Sequence, residues 1–187
     1  YELGKKLNWN VEVDVDWSPE FIDLDPDGEA FDFENNQWGK HPEYAKWDKE
    51  KRLEFIRDLN SWSISQFLHG EQGALLVASQ LASCAPTFNA KLYAASQTFD
   101  EARHVEAFNK YLQTRLKRSW PIGRALKGLL DKILTDPRWD LKFIGMQVVI
   151  EGLALAAFQA SREASSDPVY KQMVEYIIRD EARHVTF

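Results

Sequence analysis

The hexapeptide Asp-Glu-Ala-Arg-His-Val occurs twice in this chain, at positions 100–105 and again at 180–185. In both copies a further glutamate precedes the glutamate of the hexapeptide by the same 30 positions. A single offset of 80 residues relates six side chains that can bind metal: Glu71 with Glu151, Glu101 with Glu181, and His104 with His184. Little else repeats at this offset, which indicates that the duplication preserves a site more than a scaffold.

The spacing within each copy has a physical reason if the segment is helical. A glutamate and a histidine three positions apart lie on one helix face, so Glu101 with His104 can hold one ion and Glu181 with His184 another. One further glutamate from each partner helix can bridge or complete the pair. The four negative charges of the carboxylates balance the four positive charges of two divalent cations, and the two imidazoles are neutral. Without metal, each buried carboxylate would cost several kcal/mol or become protonated.

This set of ligands also favours particular metals. Carboxylate and imidazole groups suit iron or manganese, whereas structural zinc usually recruits cysteine. One Glu-x-x-His alone is more often part of a solvated helix face, but two copies with matched upstream glutamates favour a dinuclear site. We therefore predict two iron ions as the cofactor, with a manganese–iron pair as the alternative.

From about Asp48 onward the chain carries helix signals and no strand signals. Caps and prolines predict helices at about 48–59, 60–85, 87–117, 121–134, 140–164 and 168–187. The long helices form two short-linked pairs, and the connection between the pairs can cover the ~30 Å length of a long helix. That order predicts an all-α fold over 46–187, a four-helix bundle with one long crossover. We expect the bundle to continue beyond Phe187, where the helical pattern has not ended.

Residues 1–45 differ from the rest of the chain in charge and pattern. They hold 12 Asp and Glu against 3 Lys and Arg, with prolines, glycines and tryptophans and no sustained helical period. We predict an acidic, aromatic-rich N-terminal arm that is irregular, with short extended pieces such as Asn10–Val15. Disorder is the alternative, because acidic runs are usually solvated, but the aromatic content favours an arm packed on the core.

Composition excludes several classes of protein. The net charge of −6 argues against nucleic acid as the main partner. The single cysteine, Cys84, cannot form an internal disulfide, which favours a reducing compartment and a cytoplasmic location. The longest uncharged stretch, Gln72 to Ala90, is too polar to span a bilayer, and no signal peptide opens the chain, so no membrane partner is expected.

The duplicated constellation resembles the ferritin-like di-iron carboxylate superfamily over roughly residues 60–187. Its Asp-Glu-x-Arg-His form is most similar to the O₂-activating members: bacterial multicomponent monooxygenase hydroxylases, ribonucleotide reductase small subunits and arylamine N-oxygenases. The resemblance implies that Asp100 and Asp180 each orient a ligand histidine of the other half. It also implies that Arg103 and Arg183 pair with those carboxylates, for which plain surface ion pairing is the alternative.

Residues next to the ligand positions refine this resemblance. Phe108 stands where the reductase subunits have a radical-forming tyrosine, and Leu155 stands where the hydroxylases typically have a threonine. Most residues one turn from the ligands are apolar, with Gln97 and Gln147 as the polar exceptions. A dry lining suits an oxidant that must attack substrate. We expect an apolar pocket beside the metals, with walls that include Phe67, Phe108, Leu155 and Ile177.

The resemblance and the site together predict a non-haem di-iron oxidoreductase that uses O₂ to oxidise or oxygenate a small organic substrate. A ferroxidase or peroxidase and a non-enzymatic, metal-stabilised scaffold are the alternatives. No Gly-rich nucleotide loop is present, so electrons would come from a donor protein or a reductant. A basic run is either a solvated face or a dock for an acidic donor: Lys110, Arg115, Lys117, Arg118, Arg124 and Lys127. A homodimer is left open.

Overall fold

A computed structural model describes residues 1–23 and 40–186. All regular secondary structure within those residues is helical, which confirms the predicted all-α class. The α-helices are α1 (Glu2–Lys6), α2 (Pro42–Ala45), α3 (Lys49–Cys84), α4 (Phe88–Tyr111), α5 (Arg124–Thr135), α6 (Trp139–Phe143), α7 (Glu151–Ala164) and α8 (Pro168–Val185). The part of the predicted arm from 24 to 39, and Phe187, lie outside the described residues.

The first helical pair is α3 and α4, which pack against each other. The Asp48 side chain caps α3 by accepting from the Lys51 N–H. The predicted break near residue 60 is wrong, since α3 continues for 36 residues to Cys84. No proline interrupts the backbone between Lys49 and Cys84, and packing of α3 against α4 and α5 favours one continuous helix. Thr87 then caps α4 by accepting from the Ala90 N–H.

The second helical pair is formed by a long helix over 139–164 and by α8. A π-helical segment, Ile144–Ile150, joins α6 to α7 and ends directly before Glu151. Segments of this kind often mark functional positions, because they shift the register of the side chains that follow. The Asp167 side chain caps α8 by accepting from the Val169 N–H. Helix α8 packs against α7 and also contacts α4, so the two pairs meet.

The helix over 139–164 is notable for its apolar surface. Within 1–23 and 40–186 it is the one helix long and apolar enough to cross a membrane, judged by length and composition alone. Core helices of globular proteins can satisfy the same criteria. This one carries Glu151, a buried carboxylate, in its middle.

The connection between the pairs contains α5, which packs on α3. Leu130 and Ile133 of α5 lie in a core cluster with Ala74 and Val77 of α3. The close approach depends on Gly73, because a Cβ at that position would lie 2.5 Å from Leu130 Cδ2. The connection is therefore held tightly along α3.

The described part of the arm packs on the helices. Trp9, Val11 and Val15 are buried in a core cluster that includes residues of α3, α4 and α8. The expectation of an extended piece at Asn10–Val15 is wrong, because residues 11–14 form a turn. The Asn10 side chain stabilises that turn by accepting from the Glu12 and Val13 N–H groups. Local side-chain bonding of this kind competes with extended backbone.

The basic run is partly occupied by this chain's own groups. Lys110 pairs with Glu12 of the arm, and Arg118 pairs with Asp58 of α3. The Arg115 guanidinium donates to the carbonyls of Trp17 and Pro19. The opposite charges of arm and helices therefore meet within the chain.

Candidate metal centre

The helices bring all six predicted ligand residues to one place. Helix α3 supplies Glu71, α4 supplies Glu101 and His104, α7 supplies Glu151, and α8 supplies Glu181 and His184, and all six are buried. They form two groups that share Glu101 and Glu181, and within each group the potential ligand atoms lie within 4.8 Å of one another. One group adds Glu71 and His104, and the other adds Glu151 and His184. The residues that distinguish the two groups are therefore the equivalent residues of the two sequence repeats.

Several buried polar atoms in this cluster have no hydrogen-bond partner. They are Glu101 Oε2, both carboxylate oxygens of Glu181, and His184 Nδ1. His104 Nδ1 lies 3.2 Å from Glu71 Oε2 and 3.0 Å from Glu181 Oε1. Buried polar atoms without partners are costly, and carboxylates converging on imidazole nitrogens form the arrangement that a divalent cation relieves. The residues present therefore fit a pair of metal ions, and the mixed oxygen and nitrogen ligands suit iron or manganese.

Burial and mutual repulsion set the protonation of the glutamates. Burial raises the pKa of Glu71 well above its usual value, and the charge of Glu181 adds to the effect. The pKa of Glu151 is raised well above its usual value for the same two reasons. For Glu101 burial acts in the same direction, but His184 and His104 outweigh it and hold the pKa well below the usual range. Burial thus favours the protonated form of Glu71 and Glu151, whereas the two imidazoles favour the ionised form of Glu101.

The two imidazoles also favour their protonated form. Burial alone would lower the pKa of His104, but the charge of Glu71 and a hydrogen bond to Asp180 raise it well above its usual value. His184 behaves alike, since Glu181 and Glu101 outweigh its burial and raise its pKa. Both rings must lose a proton before Nδ1 can bind a metal ion.

An outer layer of charged residues holds the imidazoles in place. His104 Nε2 lies 3.1 Å from Asp180 Oδ2, and His184 Nε2 lies 3.3 Å from Asp100 Oδ2. Each aspartate thus binds the histidine of the other half, as the resemblance implied. This leaves Nδ1 of each ring directed at the carboxylate cluster. Burial would raise the pKa of Asp180, but the hydrogen bonds and charge of His104 outweigh it and keep that pKa well below the usual range.

Arg103 and Arg183 connect the two aspartates. Arg103 Nη2 binds Asp100 and, at 3.0 Å, Asp180. Arg183 Nη2 lies 3.1 Å from Asp100 and 2.6 Å from Asp180. Arg103 is itself buried, so its pairs are not of the surface kind. The four residues form a closed ionic network behind the imidazoles.

One contributor to this network comes from the arm and was not predicted. The Trp9 Nε1–H group donates to Asp180 Oδ2 at 2.8 Å, across 171 positions of sequence. The Trp9 ring also stacks on Tyr176, with ring centroids 5.1 Å apart. Next to it, the side chain of Asn8 accepts a hydrogen bond from Arg103. The only signal in the sequence was the aromatic content of the arm, which predicts packing but names no partner.

A carboxamide pair lies on the opposite side of the centre. Gln97 Nε2 donates to Glu151 Oε1 at 2.6 Å and to Glu101 Oε1 at 3.0 Å, and it also binds the carboxamide of Gln147. At the offset of 80 residues, Gln97 corresponds to Ile177 and Gln147 corresponds to Phe67. Glu151 is therefore hydrogen-bonded by an amide, whereas its counterpart Glu71 has the apolar Phe67 at the position that matches Gln147.

An apolar cavity of about 260 Å³ is bounded by α3, α5 and α7, and its lining includes Glu71, Glu151 and Glu181. Its other lining residues include Phe67, Gly70, Ala74, Ile150, Ala154 and Phe158. Phe67 was predicted in the wall, but Phe108, Leu155 and Ile177 are not among the lining residues. Phe108 and Ile177 are fully buried in the core instead. Small residues on α3 and α7, such as Gly70 and Ala154, leave room for the cavity.

His69, two positions before Glu71 on α3, does not join the centre, because residues two apart on a helix point in different directions. Its ring binds the carbonyl of Trp120 at 2.9 Å and the side chain of Gln72 at 3.2 Å. It thus anchors the connection between the helical pairs to α3.

Comparison with known proteins assigns no family to the chain. No protein-family model, no curated protein and no solved structure matches it. The argument for function therefore depends on the residues of the centre and on the cavity beside them.

The first prediction concerns metal content. The protein purified with iron available should hold about two ions per chain, as in other two-metal sites. Glu101→Ala and His184→Ala should reduce that number, because each removes a ligand atom from the cluster. His69→Ala, a histidine on the same set of helices but outside the cluster, is the matched control. Elemental analysis measures the outcome, and one ion per chain would contradict the dinuclear site.

The second prediction concerns protons. Because the pKa values of Glu71, Glu151, His104 and His184 are raised, metal binding should displace protons, and affinity should increase as the pH rises from about 5.5 to 8. Calorimetry in buffers with different ionisation enthalpies should show release of roughly one proton or more per ion. Glu71→Gln should release fewer protons. An affinity independent of pH over this range would contradict the assigned protonation.

The third prediction concerns Trp9. Trp9→Phe removes the N–H donor to Asp180 but keeps an aromatic ring, and it should weaken metal binding by about 10-fold, within the range for groups that orient metal ligands. Trp62→Phe, at a tryptophan 44% exposed on α3, is the control. Metal titration followed by circular dichroism of both variants separates lost affinity from lost folding. Equal affinities would mean that Trp9 only packs the arm.

Proposed function

We propose that this chain is a non-haem di-iron oxidoreductase that uses O₂ to oxidise or oxygenate a small organic substrate. The proposed scaffold is a ferritin-like four-helix bundle formed by α3, α4, the helix over 139–164 and α8, with the segment around α5 as its crossover. The packing of α3 on α4, of α7 on α8 and of α4 on α8 supports this arrangement. So does the supply of ligand residues by all four helices.

The observation that carries the proposal is the apolar cavity whose lining includes three of the candidate ligand residues, Glu71, Glu151 and Glu181. A volume of about 260 Å³ is close to the lower end for small-molecule sites, and its walls are mostly apolar. A substrate held there would touch the carboxylates that hold the metals. A structural metal site needs no such space beside its ligands.

The chain's own residues would position and protect the reaction. The chemistry that a bound iron pair would supply is the reductive activation of O₂, with manganese in one position as the alternative. Asp100 and Asp180 fix the imidazoles, and the apolar wall excludes water from the reacting groups. The electrons would come from a donor protein or a soluble reductant, since the sequence has no nucleotide-binding loop.

Two other functions would use the same ligands. A ferroxidase or peroxidase would handle iron or peroxide, and it would benefit from further carboxylates leading to the centre. Among the described residues that line the cavity, the only acidic ones are the candidate ligands Glu71, Glu151 and Glu181. A scaffold would use its metal for stability alone. The cavity therefore favours the organic oxidation.

The fourth prediction separates these functions. The protein loaded with Fe²⁺ without oxygen should consume O₂ once when air is admitted, in proportion to its metal, and then stop until a reductant is added. A ferroxidase would continue to oxidise added Fe²⁺ well beyond the two bound equivalents, and a scaffold would consume no O₂. An oxygen electrode with parallel iron assays distinguishes the three results. His69→Ala should behave like the parent protein, and Glu101→Ala should not consume O₂.

A further inference from the structure

A second cavity, of about 240 Å³, continues the line of the first one along the same two helices. Both cavities are lined by Phe67. On these two helices, the inner cavity is lined by residues between 66 and 74 of α3 and by residues from Ile150 onward on the partner helix. The outer cavity is lined there by residues between 59 and 67 and by residues between Ser161 and Ser165. The residue numbers fall along α3 while they rise along α7. The two cavities therefore follow one another between antiparallel helices and meet at Phe67; we refer to them together as the groove.

The groove is long enough for an extended molecule. Asn60 in the outer cavity and Ala74 in the inner cavity are both on α3. Fourteen positions of α-helix correspond to roughly 20 Å at the standard rise per residue. A ligand that filled both parts would lie against the Phe67 ring, which packs on Phe158 with ring centroids 4.8 Å apart. A short ligand would thus occupy one cavity and end at Phe67, whereas a longer ligand would extend past Phe67 into the other cavity.

The two ends of the groove differ in polarity. The inner end is lined by apolar residues, apart from the candidate ligand glutamates and Gln66, whose amide is bonded to the Trp62 and Pro121 carbonyls and to the Gly123 N–H. The outer end is lined by Asn60 and Ser63, and neither has a side-chain hydrogen-bond partner within the described part of the chain. It is also lined by Ser165, directly after the C-terminus of α7. No charged side chain lines this end within the described residues.

These features select the polar group of a ligand. Asn60 and Ser63 can both donate and accept hydrogen bonds, which suits a hydroxyl or an amide. A carboxylate is disfavoured, because no cation lines the outer end and the carbonyl end of α7 carries partial negative charge. A cation is also disfavoured, because no acidic side chain lines the outer end within the described residues.

We propose that the groove binds an elongated amphiphilic substrate, with its apolar end against the ligand carboxylates and an uncharged hydroxyl or amide group at Asn60 and Ser63. The reaction of that substrate rests on the proposed function, but its binding does not. The part of the molecule nearest the metal centre, and hence the part to be oxidised, is the apolar end far from the polar group. Phe67 and Asn60 are specificity-determining residues in this arrangement.

The fifth prediction tests binding without chemistry. The full chain is loaded with Zn²⁺, which has no redox chemistry, and is titrated with hexanol, decanol and dodecanol. Affinity should rise by about fourfold for each methylene that the groove buries, and the rise should continue to dodecanol. Dodecanoate, with the same chain length but a charged end, should bind at least about tenfold more weakly than dodecanol. Equal binding of dodecanoate, or no gain beyond hexanol, would overturn the proposal.

Variants assign the two ends of the ligand. Asn60→Leu should weaken the binding of dodecanol by roughly fivefold, which corresponds to one lost hydrogen bond, and should leave the binding of hexanol unchanged. Asn109→Leu makes the same substitution at an exposed position of α4 outside the groove and should change neither. Ala154→Phe should fill the inner cavity and weaken the binding of both alcohols. If Asn60→Leu and Asn109→Leu bind dodecanol alike, the polar group does not lie at Asn60.

The proposed function and this proposal can fail separately. A protein that binds dodecanol as described but consumes no O₂ in its iron form would refute the oxidoreductase and support the groove. A protein that consumes O₂ but binds no alcohol of any length would overturn the groove and leave the oxidoreductase standing.

Discussion

The convergence of four buried carboxylates on two buried imidazoles is the constraint on which the rest of this structure depends. Glu71, Glu101, Glu151 and Glu181 share a small volume, and their mutual repulsion in a medium that hydrates them poorly must be offset. In the metal-free chain protons and imidazolium rings offset part of it, and two divalent cations would offset it fully. Each helix that supplies a ligand is therefore tied energetically to the other three, in addition to its apolar packing.

The outer ionic network turns this repulsion into a defined geometry. Asp100 and Asp180 cross between the halves, and Arg103 and Arg183 each bind both aspartates. The imidazoles are consequently held by their Nε2 atoms while Nδ1 remains available. Such networks are valuable only when every member is satisfied, and the arm supplies Trp9 as an additional donor. A segment that the sequence sets apart by its acidity is thus part of the support of the centre.

The repeat is exact at the ligands and broken beside them. At the offset of 80 residues Gln97 matches Ile177 and Gln147 matches Phe67, so each half has one amide at these positions. The Gln97 amide binds Glu151, whereas Glu71 has Phe67 at the position that matches Gln147. Phe67, the apolar counterpart, is also the residue that lines both parts of the groove. The repeat explains why the two groups of candidate ligands are alike, and the different residues one turn before Glu71 and Glu151 explain why their surroundings differ.

Sequence patterns predicted the helical class, the three side-chain caps Asp48, Thr87 and Asp167, and the six candidate ligand positions, because helical spacing and charge balance are local properties that a repeat makes visible. It could not show that α3 continues through residue 60, where local signals are weak and packing decides. Trp9 beside Asp180 and the groove between α3 and α7 were likewise decided only by tertiary structure. Contacts across 171 positions, and the space left by small residues on two facing helices, depend on how helices pack and not on the pattern within any one of them.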